Sequence, residues 1–303
     1  MTKPAFHSPE HPDNQQFVDY AQRQIGSAVQ IENRSRDFGR PSIVWRLRSS
    51  DGSLAWLKHH ESATLYEREL IGLEQFVTAL GVQTWWQSPR VISRDDDLAV
   101  ILMTEVEGEL LDETPVSSDE CTLMFKMAGR FIRKLHDVGI PDPDGIDPAE
   151  YLRDRLDYYL SAGEEAIDEQ TATWVRELIH EASSLPGLQR VPCHMDFSPR
   201  NWLIQRNEEG TGFGVIDWER TRWDLWLQDV QRMEYDHFHR EPHLRDAYFE
   251  GYGREPTEDE GLLLNTLSLV TAIGSIPWAI SHNDEYFAEL SRTQIERIRT
   301  AIG

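Results

Sequence analysis

Strand-like patterning occurs in two places along this 303-residue chain, and that placement constrains the fold more than any other feature. The first is the opening third. Ser42–Leu47 and Leu54–Lys58 flank a turn at Ser50–Ser53, and Val91–Ile92 and Leu98–Met103 flank a turn at Arg94–Asp97. The second is a short late hairpin of Leu203–Ile204 and Gly214–Ile216. The long remaining segments read as helix. Residues 15–30 carry Phe17, Ala21 and Ile25 at helical spacing, and Ser62–Leu80 places Leu65, Leu70, Leu73, Phe76, Val77 and Leu80 near one face before Gly81. Asp119–Val138, closed by Gly139, and Pro148–Ala162 and Glu164–Ser184 follow. Strands that do not alternate with helices cannot build a doubly wound parallel sheet. The expected fold is α+β: a small antiparallel-sheet lobe over residues 1–107, a connector at Glu105–Gly108, and a larger, mainly helical lobe over residues 108–303.

Composition removes several classes of partner. Thirty basic against 53 acidic residues give a formal charge of −23, which repels nucleic acid and anionic membranes and attracts cations. Cys121 and Cys193 form no metal-spaced pair and no disulfide framework, so a reducing cytoplasm is expected. Met1–Asn14 lacks the basic start and apolar run of a signal peptide. Gly261–Ser281 contains no charged residue, but its Asn265, Thr266, Ser268, Thr271, Ser275 and Pro277 favour a buried helix ending near Pro277 over a membrane span.

The chemistry concentrates in His194-Met195-Asp196-Phe197-Ser198-Pro199-Arg200-Asn201. Phosphoryl transfer needs a carboxylate beside the acceptor hydroxyl and oxygen ligands for the Mg²⁺ ions that bridge nucleotide phosphates. Asp196 can orient and deprotonate the acceptor. Asn201, five residues on, can reach a metal across a tight loop, and Asp217, sixteen residues further, ends the apolar run Gly214–Ile216 as a charged metal ligand. Lys58 closes a strand-like run and can hold the α- and β-phosphates. Glu67 and Glu69, on the helical pattern that follows, can each pair with it.

Together these pieces resemble the aminoglycoside phosphotransferase family of small-molecule kinases, which includes choline and homoserine kinase relatives. The matching residues are Trp56-Leu57-Lys58, Glu67-Arg68-Glu69, Ile101 to Gly108, Leu135-His136, His194 to Ile204 and Ile216-Asp217-Trp218-Glu219, in family order. The resemblance implies a protein-kinase-like two-lobed fold using ATP or GTP with Mg²⁺. It implies Asp196 as the base, Asn201 and Asp217 as metal ligands, Lys58 on the phosphates, and Glu69, in preference to Glu67, as its partner. Met103 would back the adenine pocket, with the Thr104 carbonyl and Val106 amide bonding adenine. His136 and Asp229 would be structural. Two departures stand out. Asn33–Gly39 carries one glycine where a Gly-rich phosphate loop belongs, and Met195 sits where the family usually has glycine. No Ala-Pro-Glu follows Asp217, which argues against a protein kinase.

The acceptor is expected to be a small cation. Pro141–Arg190 holds twelve acidic and four basic residues, and Gln231–Glu260 nine and four, and both would flank the acceptor in the resembled fold. Asp154, Asp157, Glu164, Glu165, Glu234 and Asp236 are the candidate contacts, with Trp218, Trp223, Trp226 and Trp278 as candidate aromatic walls. An aminoglycoside or basic peptide antibiotic fits best. A choline-like amine is the alternative, and a macrolide needs a larger apolar cleft. A non-catalytic scaffold on the same fold has no use for Lys58, Asp196, Asn201 and Asp217 together. A metal hydrolase built on His194, Asp196 and Asp217 leaves Lys58 unexplained and lacks a third nearby histidine.

Overall fold

The computed structural model describes residues 15–302 except 27, 36–41, 163–166 and 209. In chain order the elements are α1 (Gln15–Ile25), β1 (Ala28–Asn33), β2 (Ser42–Ser49), β3 (Leu54–His60), α2 (Ala63–Leu70), β4 (Trp86–Gln87), β5 (Val91–Asp95), β6 (Val100–Thr104) and β7 (Glu109–Leu110). Then come α3 (Ser118–His136), α4 (Pro148–Ala162), α5 (Glu169–Ala182), β8 (Arg190–Cys193), β9 (Trp202–Asn207), β10 (Gly210–Val215) and β11 (Arg222–Leu225). The chain ends with α6 (Gln228–Met233), α7 (Pro242–Tyr252), α8 (Glu258–Ser281) and α9 (Glu285–Ile302). Helix α2 runs on through a π-helical segment, Ile71–Val77, and a last α turn, Thr78–Leu80.

The chain forms two compact units, Met1–Pro115 with Pro199–Arg222, and Val116–Ser198 with Trp223–Gly303. The sequence-based division at 107/108 is contiguous. The observed one takes the late hairpin into the first unit, because β9 and β10 share a sheet with β7 and β4 in the order β4-β10-β9-β7.

The first unit is organised by a five-stranded sheet in the order β1-β2-β3-β6-β5. Its neighbouring strands pair antiparallel. Trp45, Leu47, Ala55, Leu57, Val100 and Leu102 form one face and bury against Phe17, Tyr20 and Ala21 of α1. Side chains alternate across a strand and directly opposed residues share a face. The registers Ser42↔His60, Val44↔Lys58 and Lys58↔Ile101 therefore put Ser42, Lys58, His60, Ile101 and Met103 on the other face. The first helix is shorter than its apolar spacing suggests. It stops at Ile25, where Gly26 turns left-handed (φ 80°), and the chain enters β1 instead.

The second unit is mainly helical, with one two-stranded sheet, β11-β8. Helix α3 opens with a capping box from Ser117 and Glu120 and packs closely on α7. A methyl group on Gly129 would lie 1.9 Å from the Tyr248 carbonyl oxygen, and one on Gly251 would lie 1.9 Å from that of Lys126. Helix α8 runs four residues past Pro277 to Ser281, so the proline lies inside it. By length and composition α8 is long and apolar enough to cross a membrane. Leu263, Leu264, Leu267, Leu269, Val270, Ile273 and Ile276 are buried within the fold. Helix α5 begins at Glu169, capped by Asp168, and not at the expected Glu164.

Because both glycines of the α3–α7 crossing face backbone atoms that cannot move aside, Gly129→Ala is expected to destabilise the protein by at least about 2–3 kcal/mol, read from urea unfolding. A loss below about 1 kcal/mol would show that the two helices can separate at little cost.

Candidate active site

The catalytic motif read from the sequence is divided between the units at Ser198 and Pro199. The first unit gathers Lys58, Glu69, Asn201 and Asp217. The second holds Asp196.

Lys58 projects from β3, and its ammonium lies 2.7 Å from Asp217 Oδ1, 2.8 Å from Glu69 Oε2 and 3.0 Å from Glu219 Oε2. Burial works against its charge, but the three carboxylates outweigh burial and hold the ammonium well above its ordinary value. Burial likewise pushes the Glu69 carboxyl up, and Lys58 and the His60 hydrogen bond together bring it below the usual carboxylate range. Glu67 is exposed, so the helix presents Glu69 to the lysine. The ligand atoms of His60, Glu69 and Glu219 converge closely enough to hold a metal, but Lys58 is the cation seated among them.

Asp217 is placed by the β9–β10 hairpin. The register Val215↔Trp202 and the bond from Ile216 N–H to the Asn201 carbonyl (3.0 Å) bring Asn201 and Asp217 to the same end of it. Ser88, which the sequence did not single out, fixes the flanks. Its hydroxyl donates to Val215 O (2.9 Å) and accepts the Trp218 indole N–H (2.8 Å). Asp217 sits at φ 68°, a left-handed conformation that aspartate tolerates better than most residues. The π-helical segment closes on the same place, since a methyl on Gly72 would lie 2.8 Å from Trp218 Cβ.

Met103 and Val106 are buried at and beyond the end of β6. Thr104 is tied to Arg90: its N–H donates to Arg90 O (2.9 Å) and its hydroxyl accepts the Arg90 N–H (3.0 Å). Glu105 accepts from Arg46 (2.6 Å) and from the Trp56 indole, which pins the connector to the sheet.

In the second unit, Asp229 organises the loop before Asp196. Its carboxylate accepts the N–H groups of His194 (2.9 Å) and Met195 (2.6 Å) and lies 3.1 Å from His136 Nε2. A carboxylate can only accept, so His136 donates from Nε2, and its Nδ1 accepts the Tyr252 hydroxyl at 3.1 Å. Burial pushes the Tyr252 phenol up, which keeps that hydroxyl protonated. Met195 has φ 68°, the conformation for which glycine is the unstrained choice. Asp196 Oδ1 accepts from Arg232 Nη1 at 2.7 Å, and Arg232 also meets Asp236 at 3.2 Å.

The six acidic residues proposed for the acceptor fare differently. Asp154 and Asp157 are exposed on α4. Glu234 is ion-paired with Arg245 at 3.0 Å, and Asp236 with Arg232. Burial raises the Glu234 carboxyl. Glu164 and Glu165 lie outside the described residues. Among the candidate aromatic walls, Trp218 and Trp223 are core residues, Trp226 stacks on Tyr252 at 4.8 Å, and Trp278 is 52% exposed.

The family model described as "Phosphotransferase enzyme family" matches residues 44–263, and the chain belongs to that family. Solved structures share its kinase-like fold. The ternary complex of a thermostable aminoglycoside phosphotransferase APH(4)-Ia mutant with ADP and hygromycin B superposes with TM-score 0.69 at 14% identity, covering 94% of this chain and 99% of that one. The GDP and kanamycin complex of APH(2")-IIia gives 0.68 at 13%, over 94% and 99%. The apoenzyme of macrolide 2'-phosphotransferase MphH from Brachybacterium faecium gives 0.64 at 15%, over 93% and 98%. No curated protein matches the sequence significantly.

Glu69 has a depressed folded-state value, so its contribution to stability is present above its ordinary value of 4.5 and is lost as pH falls through the folded one. Glu69→Gln is expected to cost on the order of 3 kcal/mol at neutral pH. The gap from wild type should narrow in unfolding experiments run below the ordinary carboxylate range, and a gap constant with pH would contradict the ionised pairing.

Proposed function

We propose that this enzyme transfers the γ-phosphate of ATP or GTP to a hydroxyl of a small, cationic acceptor. The observation that carries the reading is the buried Lys58 ammonium held beside Asp217 and Glu69, at 2.7 and 2.8 Å. A cation fixed in that way is suited to nucleotide phosphates, and the phosphotransferase family supplies the reaction class. Lys58 contacts the α- and β-phosphates, and Glu69 holds it. Met103 backs the adenine, with the Thr104 carbonyl and Val106 amide as its hydrogen-bonding partners. Asp196 accepts the acceptor's proton as the new O–P bond forms and the bond to the β-phosphate oxygen breaks. A carboxylate and an amide oxygen are ligands that suit Mg²⁺, and Asp217 and Asn201 would hold it. A bound ion would neutralise charge on the phosphates.

The acceptor's cationic character rests on the −23 net charge and on the exposed Asp154 and Asp157. An aminoglycoside or basic peptide antibiotic is the favoured acceptor, which would make the enzyme a resistance determinant. A choline-like amino alcohol is the second reading. A cytoplasmic location accords with Cys121 and Cys193 being thiols and not a disulfide.

Phosphate transfer from labelled ATP and GTP, with and without Mg²⁺, to a panel of aminoglycosides, macrolides, basic peptides and amino alcohols tests the reading. Asp196→Ala should slow transfer about 10²–10⁴-fold while nucleotide still binds. Near-wild-type turnover in that variant would remove Asp196 from the role of base. For a polycationic acceptor, added salt should raise KM steeply and leave kcat nearly unchanged, whereas a singly charged amine should respond weakly. A neutral or anionic acceptor, or a salt-insensitive KM, would show that the acidic surface plays no part in binding.

A further inference from the structure

We propose that His60 is a positioning residue for the Lys58–Glu69 pair, holding the Glu69 carboxylate in place while Lys58 exchanges partners during nucleotide binding. The inference rests on Lys58 being the phosphate-binding lysine. His60 lies two residues beyond Lys58 on β3, so both side chains leave the same face of the sheet. Glu69 Oε2 is 2.8 Å from Lys58 Nζ and 2.6 Å from His60 Nε2, so one carboxylate oxygen serves both. The imidazole is fully buried and its Nδ1 has no hydrogen-bond partner among the described residues. An unmet acceptor is tolerated in such a place better than an unmet donor. Because the Glu69 carboxylate can only accept, His60 Nε2 carries a proton and donates it to Glu69.

The ring itself has little freedom. His60 N–H donates to the Ala99 carbonyl (3.0 Å), and the ring packs edge-on against Tyr66 at 5.8 Å, whose hydroxyl donates to Asp96 (2.6 Å). On the other side, Ser42 stands opposite His60 in the β2–β3 register and donates to Glu219 Oε2 at 2.7 Å. His60 Nε2 lies 3.9 Å from that same oxygen. Each buried glutamate beside Lys58 thus has a short, rigid donor of its own from the sheet.

This arrangement matters because Lys58 cannot keep all of its partners. In the structure its ammonium is shared among Asp217, Glu69 and Glu219. When phosphates arrive it must turn a donor towards them, and a carboxylate held by a flexible lysine alone would be free to turn with it. A second bond to Glu69 from a fixed imidazole preserves the anchor through that change, and part of the cost of ordering the site is met before the nucleotide binds.

Titration with Mg²⁺-ATP tests the proposal without knowledge of the acceptor. His60→Leu deletes the bond at comparable volume, and His60→Gln returns an N–H donor. His60→Leu is expected to weaken nucleotide affinity by about tenfold or more, whereas His60→Gln should stay within about threefold of wild type. KM for any acceptor found should be unchanged in both. A role in packing alone would lower Tm and leave nucleotide affinity untouched. That result, or equal weakening in the two variants, overturns the proposal. Should His60→Leu fail to fold, ¹⁵N spectra of the wild-type imidazole serve instead. The proposal requires a hydrogen-bonded Nε2–H tautomer both before and after nucleotide addition, and its loss on binding would overturn it. A wild-type protein that binds no nucleotide would fail the phosphotransfer reading itself, and so is distinguishable from these outcomes.

Discussion

The fold of the first unit is organised around one buried ammonium. Lys58 brings one positive charge among the three negative charges of Glu69, Asp217 and Glu219, so the cluster carries a surplus of two negative charges. Such a group is stable only where every remaining lone pair finds a donor and each charge is held at short range. Five separate pieces of chain supply its charges and donors. The sheet supplies Lys58, His60 and Ser42, and α2 supplies Glu69. The hairpin end supplies Asp217 and Glu219, and Ser88 locks that end on both sides. Removing one partner of a buried pair typically costs about 3–5 kcal/mol, a large share of the roughly 5–15 kcal/mol that holds a domain folded. The surplus of negative charge is also what a divalent cation would relieve.

The second unit solves a different problem, the fixing of a loop that has no regular backbone pairing of its own. Asp229 receives two successive loop N–H groups and the His136 ring, and Tyr252 braces that ring. His136 and Tyr252 lie on α3 and α7, the two helices whose glycines allow backbone contact. The closeness of that crossing therefore reaches the loop through two side chains. Arg232, one turn beyond Asp229 on α6, then meets the Asp196 carboxylate. One short helix thereby holds both the backbone and the acidic side chain of the motif.

Much of this was legible in the sequence, and the reasons differ by residue. The runs around Lys58 and Leu102 are short apolar stretches bounded by turn residues, so the sheet and the lysine were readable. The preference for Glu69 over Glu67 comes only from the family resemblance, and the structure buries Glu69 beside Lys58. The π-helical segment over Ile71–Val77 was not readable, since nothing in the local sequence distinguishes it from the α-helical pattern it continues. Nor were Ser88 and the role of Glu219, whose partners lie far along the chain, or His60, whose bond to Glu69 depends on how α2 packs against the sheet. The helix expected over residues 15–30 forms but ends at Ile25, because apolar spacing alone cannot register the stop at Gly26. Trp218 and Trp223 were considered as walls for a ligand, yet large aromatic side chains pay most when buried, and both are core residues. The acidic clusters were visible as composition, but composition could not show that Glu234 and Asp236 are occupied by arginines.

The most direct test of the account is nucleotide titration of the wild-type protein and of Lys58→Met in the presence of Mg²⁺, with folding checked by thermal unfolding of each. Wild type is predicted to bind ATP or GTP with release of heat, and Lys58→Met, while still folded, to bind at least about tenfold more weakly. Equal affinity in the two proteins, or no binding by the wild type, would contradict the assignment of the buried lysine cluster to nucleotide phosphates.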